Sequence, residues 1–296
     1  MDVFPRPHRV KPERDPALAR IRRGVYADAT ALADAERRER HLARMRAVAM
    51  VRREPVFALL SALTAHAIPF PGEAELVHTI GGSATSGRRA GVAHTHVEID
   101  PGDVVVVDGL LACSPAYALE HVARRCSQMT AVSALDAALR AGMVTKEEVE
   151  DALERQGPRG RTRARWAIAF ADARSESVGE SCSRVTIHRL GAPAPELQWR
   201  IPTPDGDRWG DFRWERPGRR PLIGEFDGEV KYRALAEERG EDAAGTVVRE
   251  KRREDGIRLS HDVARWVWLD AMRHERLRRI LAAVGLPLAP TTLPGW

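Results

Sequence analysis

The sequence predicts a mixed α/β protein built from more than one module, and three observations carry that expectation. Stretches with apolar residues at helical spacing alternate with short β-branched runs. The last third reads in order as helix, three strands, helix, strand and helix, the pattern of a mixed-sheet domain. At 296 residues the chain exceeds the usual size of a single domain, so two or three modules are expected.

Composition narrows the class further. With 43% hydrophobic and 30% charged residues the chain is globular rather than disordered. No uninterrupted apolar run approaches the ~20 residues that a membrane span needs, and the candidate Val104 to Val107 is strand-sized. The N-terminus is charged and proline-rich and has no apolar stretch before a cleavage site, so a cytoplasmic location without membrane contact is expected. Cys113, Cys126 and Cys182 lack the paired spacing of a zinc site and read as reduced structural thiols. Forty-seven Lys and Arg against 42 Asp and Glu give a formal charge of +5, which makes a polyanionic partner worth seeking. Mixed runs such as Glu36 to Arg40 are more simply solvated helix faces.

Taken along the chain, residues 1–30 are basic and proline-punctuated, and Ala19 to Tyr26 reads as a strand pair around a glycine turn. A helix is predicted over 31–53, with Leu32, Ala35, Leu42, Met45 and Ala49 near helical spacing. A second, Val56 to His66, should close before Pro69 and Pro71. Leu76 to Ile80, Val92 to Ile99 and Val104 to Val107 form a small sheet. Ser114-Pro115 then opens a helix to about Arg125, followed by helices over Met129 to Ala141 and Thr145 to Gln156. After a basic linker, Gly157 to Arg163, helices cover Thr162 to Arg174 and Val178 to Leu190. Strands follow at Leu197 to Ile201, Trp209 to Trp214 and Leu222 to Asp227, the last two joined as a hairpin. A charged helix over Gly245 to Leu259, a strand over Ala264 to Leu269 and a helix over Met272 to Val284 complete the reading.

The chemistry concentrates in the second strand of that hairpin. Glu225, Asp227, Glu229 and Lys231 alternate, so a continued strand projects them on one face, with Asp211 across the hairpin. Bunched carboxylates repel and lose hydration, a conflict that a divalent cation resolves. Oxygen ligands of this kind suit Mg²⁺, or Mn²⁺ in its place, which polarises a phosphoryl oxygen and activates a bound water. The plainer alternative is an exposed hairpin whose acids are balanced by Arg213, Arg219 and Arg220. His94 and His96 share a strand face without a third ligand, and Gly81-Gly82 lacks the lysine of a phosphate loop. The strand tryptophans are core residues by default.

At these residues the chain resembles a known fold. Gly210-Asp-Phe212, Gly224-Glu-Phe-Asp-Gly228, Arg249-Glu-Lys-Arg-Arg-Glu-Asp255 and Trp266-Val-Trp268 resemble the Vsr-like branch of the PD-(D/E)xK endonucleases, and Glu180 in Gly179 to Arg184 looks like that fold's helical glutamate. The resemblance implies a restriction-endonuclease-like mixed sheet over 163–290, a metal site of Glu180, Asp211 and Glu225, and hydrolysis of a DNA phosphodiester. It makes Asp211, Glu225, Asp227 and Lys231 the candidate catalytic set. Arg184, Lys251 and Arg252 are candidate DNA contacts. Where the superfamily has E-x-K, this chain has Glu225-Phe226-Asp227.

The front half resembles a second family. Arg20-Ile-Arg-Arg-Gly-Val-Tyr-Ala-Asp28 is similar to the wing of the winged-helix domain in AbiEi-like antitoxins and related actinobacterial regulators. Pro55 to Leu63, Val106 to Pro115 and Val132 to Arg140 are similar to the middle region of that family. The resemblance implies a winged-helix-like remnant with a helix over 1–53, an AbiEi-like middle domain over 54–157, and a wing that touches DNA through Arg20, Arg22 and Arg23. Two functions are therefore expected to compete. One is a Mg²⁺-dependent DNA endonuclease of phage defence or DNA processing. The other is a non-enzymatic antitoxin or transcriptional regulator, with DNA and a cognate toxin as partners.

Overall fold

The computed structural model describes residues 1–5, 15–82, 85–204, 206–228 and 256–289. The chain is mixed α/β, and it divides into two compact units, Met1–Ala169 and Phe170–Trp296. No helix among the described residues is long and apolar enough to cross a membrane.

The first unit begins with a three-stranded antiparallel sheet in which β3 (Val25–Asp28) lies between β1 (Phe4–Pro5) and β2 (Leu18–Arg22). Gly24, at φ +81°, closes the β2–β3 turn, a conformation that costs glycine little. The single helix predicted over 31–53 is instead two, α1 (Ala29–Asp34) and α2 (Arg37–Ala49), separated where Ala35 turns extended. Only α2 carries a buried face; Leu42, Met45 and Val48 pack on Phe57, Val77, Val92 and Leu110 of the next sheet. Nothing comparable holds α1 in line with it.

That next sheet has six strands in the order β6-β7-β5-β4-β9-β8: β4 (Val56–Phe57), β5 (Val77–Ile80), β6 (Gly87–Arg89), β7 (Val92–Thr95), β8 (Val104–Val107) and β9 (Leu110–Cys113). The helix predicted from Val56 starts later, as α3 (Leu59–Ala65), because Val56 and Phe57 form the central strand. Fully buried Phe57 pairs with Thr79 on one side and Ala112 on the other, and that pairing overrides local helix preference. Strand β9 was not predicted, although Asp108-Gly109, at φ +49° and +76°, is the turn that a two-residue hairpin requires.

Helices α4 (Pro115–Arg125), α5 (Gln128–Arg140), α6 (Lys146–Glu154) and α7 (Arg161–Phe170) follow close to their predicted bounds, except that α7 stops at Phe170, short of the predicted Arg174. Ser114 and Ser127 cap α4 and α5, and Thr145 and Glu148 form a reciprocal capping box on α6.

In the second unit, α8 (Val178–Arg189) precedes the four-stranded sheet β10 (Glu196–Thr203), β11 (Gly206–Trp214), β12 (Leu222–Asp227) and β13 (Asp262–Val267). The first three strands are antiparallel and β13 runs parallel to β12, so the sheet is mixed. The strand predicted to Leu269 stops at Val267, and Trp268 begins a short helix, α9 (Trp268–Met272), followed by α10 (His274–Ala283). Leu197, Phe212, Leu222 and Trp266 pack against Ile187 of α8 and Leu277 and Leu281 of α10. Ile201 and Ile223 join Ile257 in a separate cluster.

Three glycines of the motifs are packing requirements. A Cβ on Gly224 would lie 2.5 Å from the Trp266 ring and 2.8 Å from that of Trp214, and one on Gly210 would lie 2.7 Å from Ile223 Cγ2. A Cβ on Gly179 would overlap the Phe226 ring, so α8 approaches β12 only because glycine stands there.

Candidate functional site

The acidic residues occupy three elements, with Glu180 on α8, Asp211 on β11, and Glu225 and Asp227 at the end of β12. Asp211 is on β11, one residue before the Phe212–Gly224 pair. Its Oδ2 accepts a hydrogen bond from the backbone N–H of Phe226 at 2.7 Å, which ties it between Glu225 and Asp227 along the chain. Glu225 is buried at 7% exposure and faces Arg265 in the parallel register; Arg265 Nε donates to Glu225 Oε2 at 2.8 Å. A charge taken this far out of water requires such a partner. Asp227 is half-buried, and its Oδ1 is buried without a hydrogen-bond partner among the described residues.

Glu180, the expected helical metal ligand, sits in the first turn of α8 and is engaged there. Ser177 Oγ donates to its Oε1 at 2.8 Å, while Glu176 N and Gln198 Nε2 donate to Oε2 at 2.9 and 3.1 Å. The Glu180 N–H donates back to Ser177 Oγ at 3.1 Å. This is helix capping, which explains a buried carboxylate without a metal. Burial is the largest influence on Glu180 and raises its pKa, favouring the protonated form.

Among the described residues no three His, Cys, Asp or Glu side chains converge as a metal-holding group. Glu225 carries a guanidinium as counter-ion, Asp211 holds a backbone amide and Glu180 caps its helix. The described donor set does not fit the three-carboxylate Mg²⁺ site of the sequence expectation. Lys231, Lys251 and Arg252, with most of the charged helix predicted over 245–259, lie outside the described residues.

The candidate DNA contacts separate. Arg20 and Arg23 are exposed on the β2–β3 hairpin and Arg22 is half-buried beside them. Arg184 is turned into the fold at 7% exposure; its Nη2 donates to Phe170 O at 2.7 Å and its guanidinium lies 4.7 Å from the Phe170 ring centre. Placed there, it offers DNA little surface. His94 is used internally, its ring nitrogens within hydrogen-bond distance of Thr79 Oγ1 at 3.0 Å and Gly81 O at 3.1 Å. The three cysteines are free thiols, and burial raises the pKa of Cys126 to about 11.

Sequence reasoning missed Arg265 and Gln198. Arg265 reaches Glu225 across 40 residues of chain through a parallel register that no local pattern announces. Gln198 sits at φ +51° in β10, a rare conformation for this residue type, and donates to Glu180. The basic run on α2, read as a wet face, also lines cavities: Arg37, Arg40 and Arg44 border one of about 230 Å³ with His41. His41 is buried and bonded to Ser61 Oγ at 2.9 Å; burial lowers its pKa to about 4, so it is neutral at physiological pH.

Over 110 residues the chain is 42% identical to two proteins of Mycobacterium tuberculosis, from strains CDC 1551 and H37Rv, both named only as uncharacterized. That match spans 36% of this chain and 41% of those relatives. A crystal structure of the RV2827C protein from Mycobacterium tuberculosis overlaps 52% of this chain and 60% of its own, at TM-score 0.36 and 15% identity, a likeness too slight to build on. Residues 50–168, which run from the end of α2 into α7, match the AbiEi antitoxin C-terminal domain.

Proposed function

We propose that this protein is a DNA-binding regulator of the antitoxin type, without nuclease activity. The observation that carries the reading is the match of residues 50–168 to the AbiEi antitoxin C-terminal domain. Two features support it. The β2–β3 hairpin presents Arg20 and Arg23 to solvent, as a wing that contacts DNA phosphates would. In the second unit the Glu225 carboxylate is paired with Arg265 instead of standing ready for a metal. On this reading the first unit binds an operator and a cognate toxin is the protein partner.

The test is a mobility-shift titration with a fragment of the protein's own promoter. Binding is expected to weaken with Arg22→Ala and Arg23→Ala and to survive Asp211→Ala without added metal. Binding that requires Asp211 and a divalent cation would overturn the reading. The toxin is tested by co-expression with the product of an adjacent gene, where rescue of growth is the expected outcome.

A second reading, Mg²⁺- or Mn²⁺-dependent cleavage of DNA by a Vsr-like PD-(D/E)xK domain, draws on one observation. Asp211 is bonded to the Phe226 amide, between Glu225 and Asp227 along β12, and one oxygen of Asp227 is buried without a hydrogen bond among the described residues. It predicts plasmid nicking with either ion that Asp211→Ala abolishes; equal nicking by protein and variant, or none, ends it.

A further inference from the structure

A groove of about 400 Å³ runs between β2, α2 and the Ala90-Gly91 turn. Four guanidinium side chains line it, Arg20 and Arg22 from β2 and Arg40 and Arg44 from α2, against a single carboxylate, that of Glu75. An ordinary strand turns successive side chains to opposite faces. Here a bulge between Arg20 and Arg22, which pair with Tyr26 and Val25, breaks the alternation, and Arg20, Ile21 and Arg22 all line the groove. On α2, Arg40 and Arg44 are one turn apart and face the same space.

The charge there is poorly compensated. Arg40 meets Glu73 at 3.6 Å, a carboxylate outside the groove, and Arg44 donates to the backbone carbonyl of Ala74 at 3.4 Å. Neither Arg20 nor Arg22 has a carboxylate partner among the described residues. Burial, and after it the like charge of Arg52, lowers the Arg22 pKa from its ordinary value. Guanidiniums that share one groove with a single carboxylate are relieved by an anion with several acceptor oxygens, and a phosphate group matches their planar forks.

We propose that this groove is a phosphate-binding site in which Arg20, Arg22 and Arg44 hold the anion. The phosphate is either that of a DNA backbone, which rests on the regulator reading above and extends the contact from the hairpin onto α2, or that of a free nucleotide. The volume falls within the range of small-molecule sites, so an adjoining sugar has room.

The experiment has two arms on the full chain: fluorescence anisotropy with a labelled promoter duplex between about 50 and 200 mM salt, and calorimetric titration with pyrophosphate. Arg44→Ala is the main variant, since Arg44 is exposed and its loss leaves the core intact. Arg22→Gln is the second, and Arg23→Ala, at the hairpin tip outside the groove, is expected to leave pyrophosphate binding unchanged while weakening duplex binding. Arg44→Ala is expected to weaken duplex binding about tenfold and to reduce the salt slope by about one. Pyrophosphate binding that is lost in Arg44→Ala, without duplex binding by the parent protein, keeps the groove, makes its ligand a free phosphate compound and removes the DNA reading. Duplex binding that depends on Arg23 but is unchanged in Arg44→Ala and Arg22→Gln, with no pyrophosphate bound, keeps the DNA reading and overturns the groove. A parent protein that binds neither probe overturns both.

Discussion

Glu225 and Arg265 show how one pairing changes the meaning of a motif. In sequence, Glu225-Phe226-Asp227 is an acidic triplet in need of a cation; in the fold a guanidinium from the neighbouring parallel strand lies 2.8 Å from the Glu225 carboxylate. Removing one member of a fully buried ion pair costs about 3–5 kcal/mol. Arg265 keeps 26% of its side chain exposed, so Arg265→Ala is expected to destabilise by a smaller amount, about 1–3 kcal/mol. Urea unfolding at constant m-value measures it, and an unchanged midpoint would show that the pair contributes nothing. Asp211 and Glu225 were legible as neighbours because a hairpin brings its two strands together. Arg265 was not, since its partner lies 40 residues away and only the sheet order sets the register.

At the scale of elements, helix starts were the most readable feature because capping is local chemistry. Ser114 followed by Pro115, and Thr145 followed three residues later by Glu148, mark α4 and α6. Thr145→Ala removes the acceptor for the Glu148 N–H, which lies 3.2 Å from Thr145 Oγ1. The loss is expected to be about 1 kcal/mol and to lower the thermal midpoint by about 2–4 °C, measured by circular dichroism. A drop no larger than that of an exposed control substitution would dismiss the cap. Elements whose identity depends on distant partners were misread. Val56 and Phe57 pass for the first turn of a helix until β5 and β9 are placed on either side of them. The missed strand β9 is a different case: Asp108-Gly109 announced a hairpin and was passed over.

For the molecule as a whole, the formal charge of +5 understates its capacity for polyanions, because positive charge collects at the hairpin and along α2. If about four phosphates are neutralised, raising salt from about 50 to 200 mM should lower duplex affinity on the order of a hundredfold through counterion release. Folding stability should change far less over that range, since pairs such as Arg124–Glu120, at 2.6 Å with the carboxylate fully buried, are weakly screened. Parallel anisotropy and urea titrations check both halves, and an affinity insensitive to salt would exclude a phosphate-dominated interface.

The sequence by itself determined the mixed α/β class, the helix caps, the basic hairpin and the resemblance of the front half to AbiEi-like antitoxins, because these follow from local preference, short-range spacing and motif order. Only the tertiary structure decided that Gln198 of β10 donates to Glu180, that Glu225 answers to Arg265, and that arginines read as a wet face of α2 close a groove with β2. Each of those outcomes depends on which elements become neighbours. That choice is made by packing apolar faces such as the one between α8, α10 and the second unit's sheet, and it brings together charges that lie far apart along the chain.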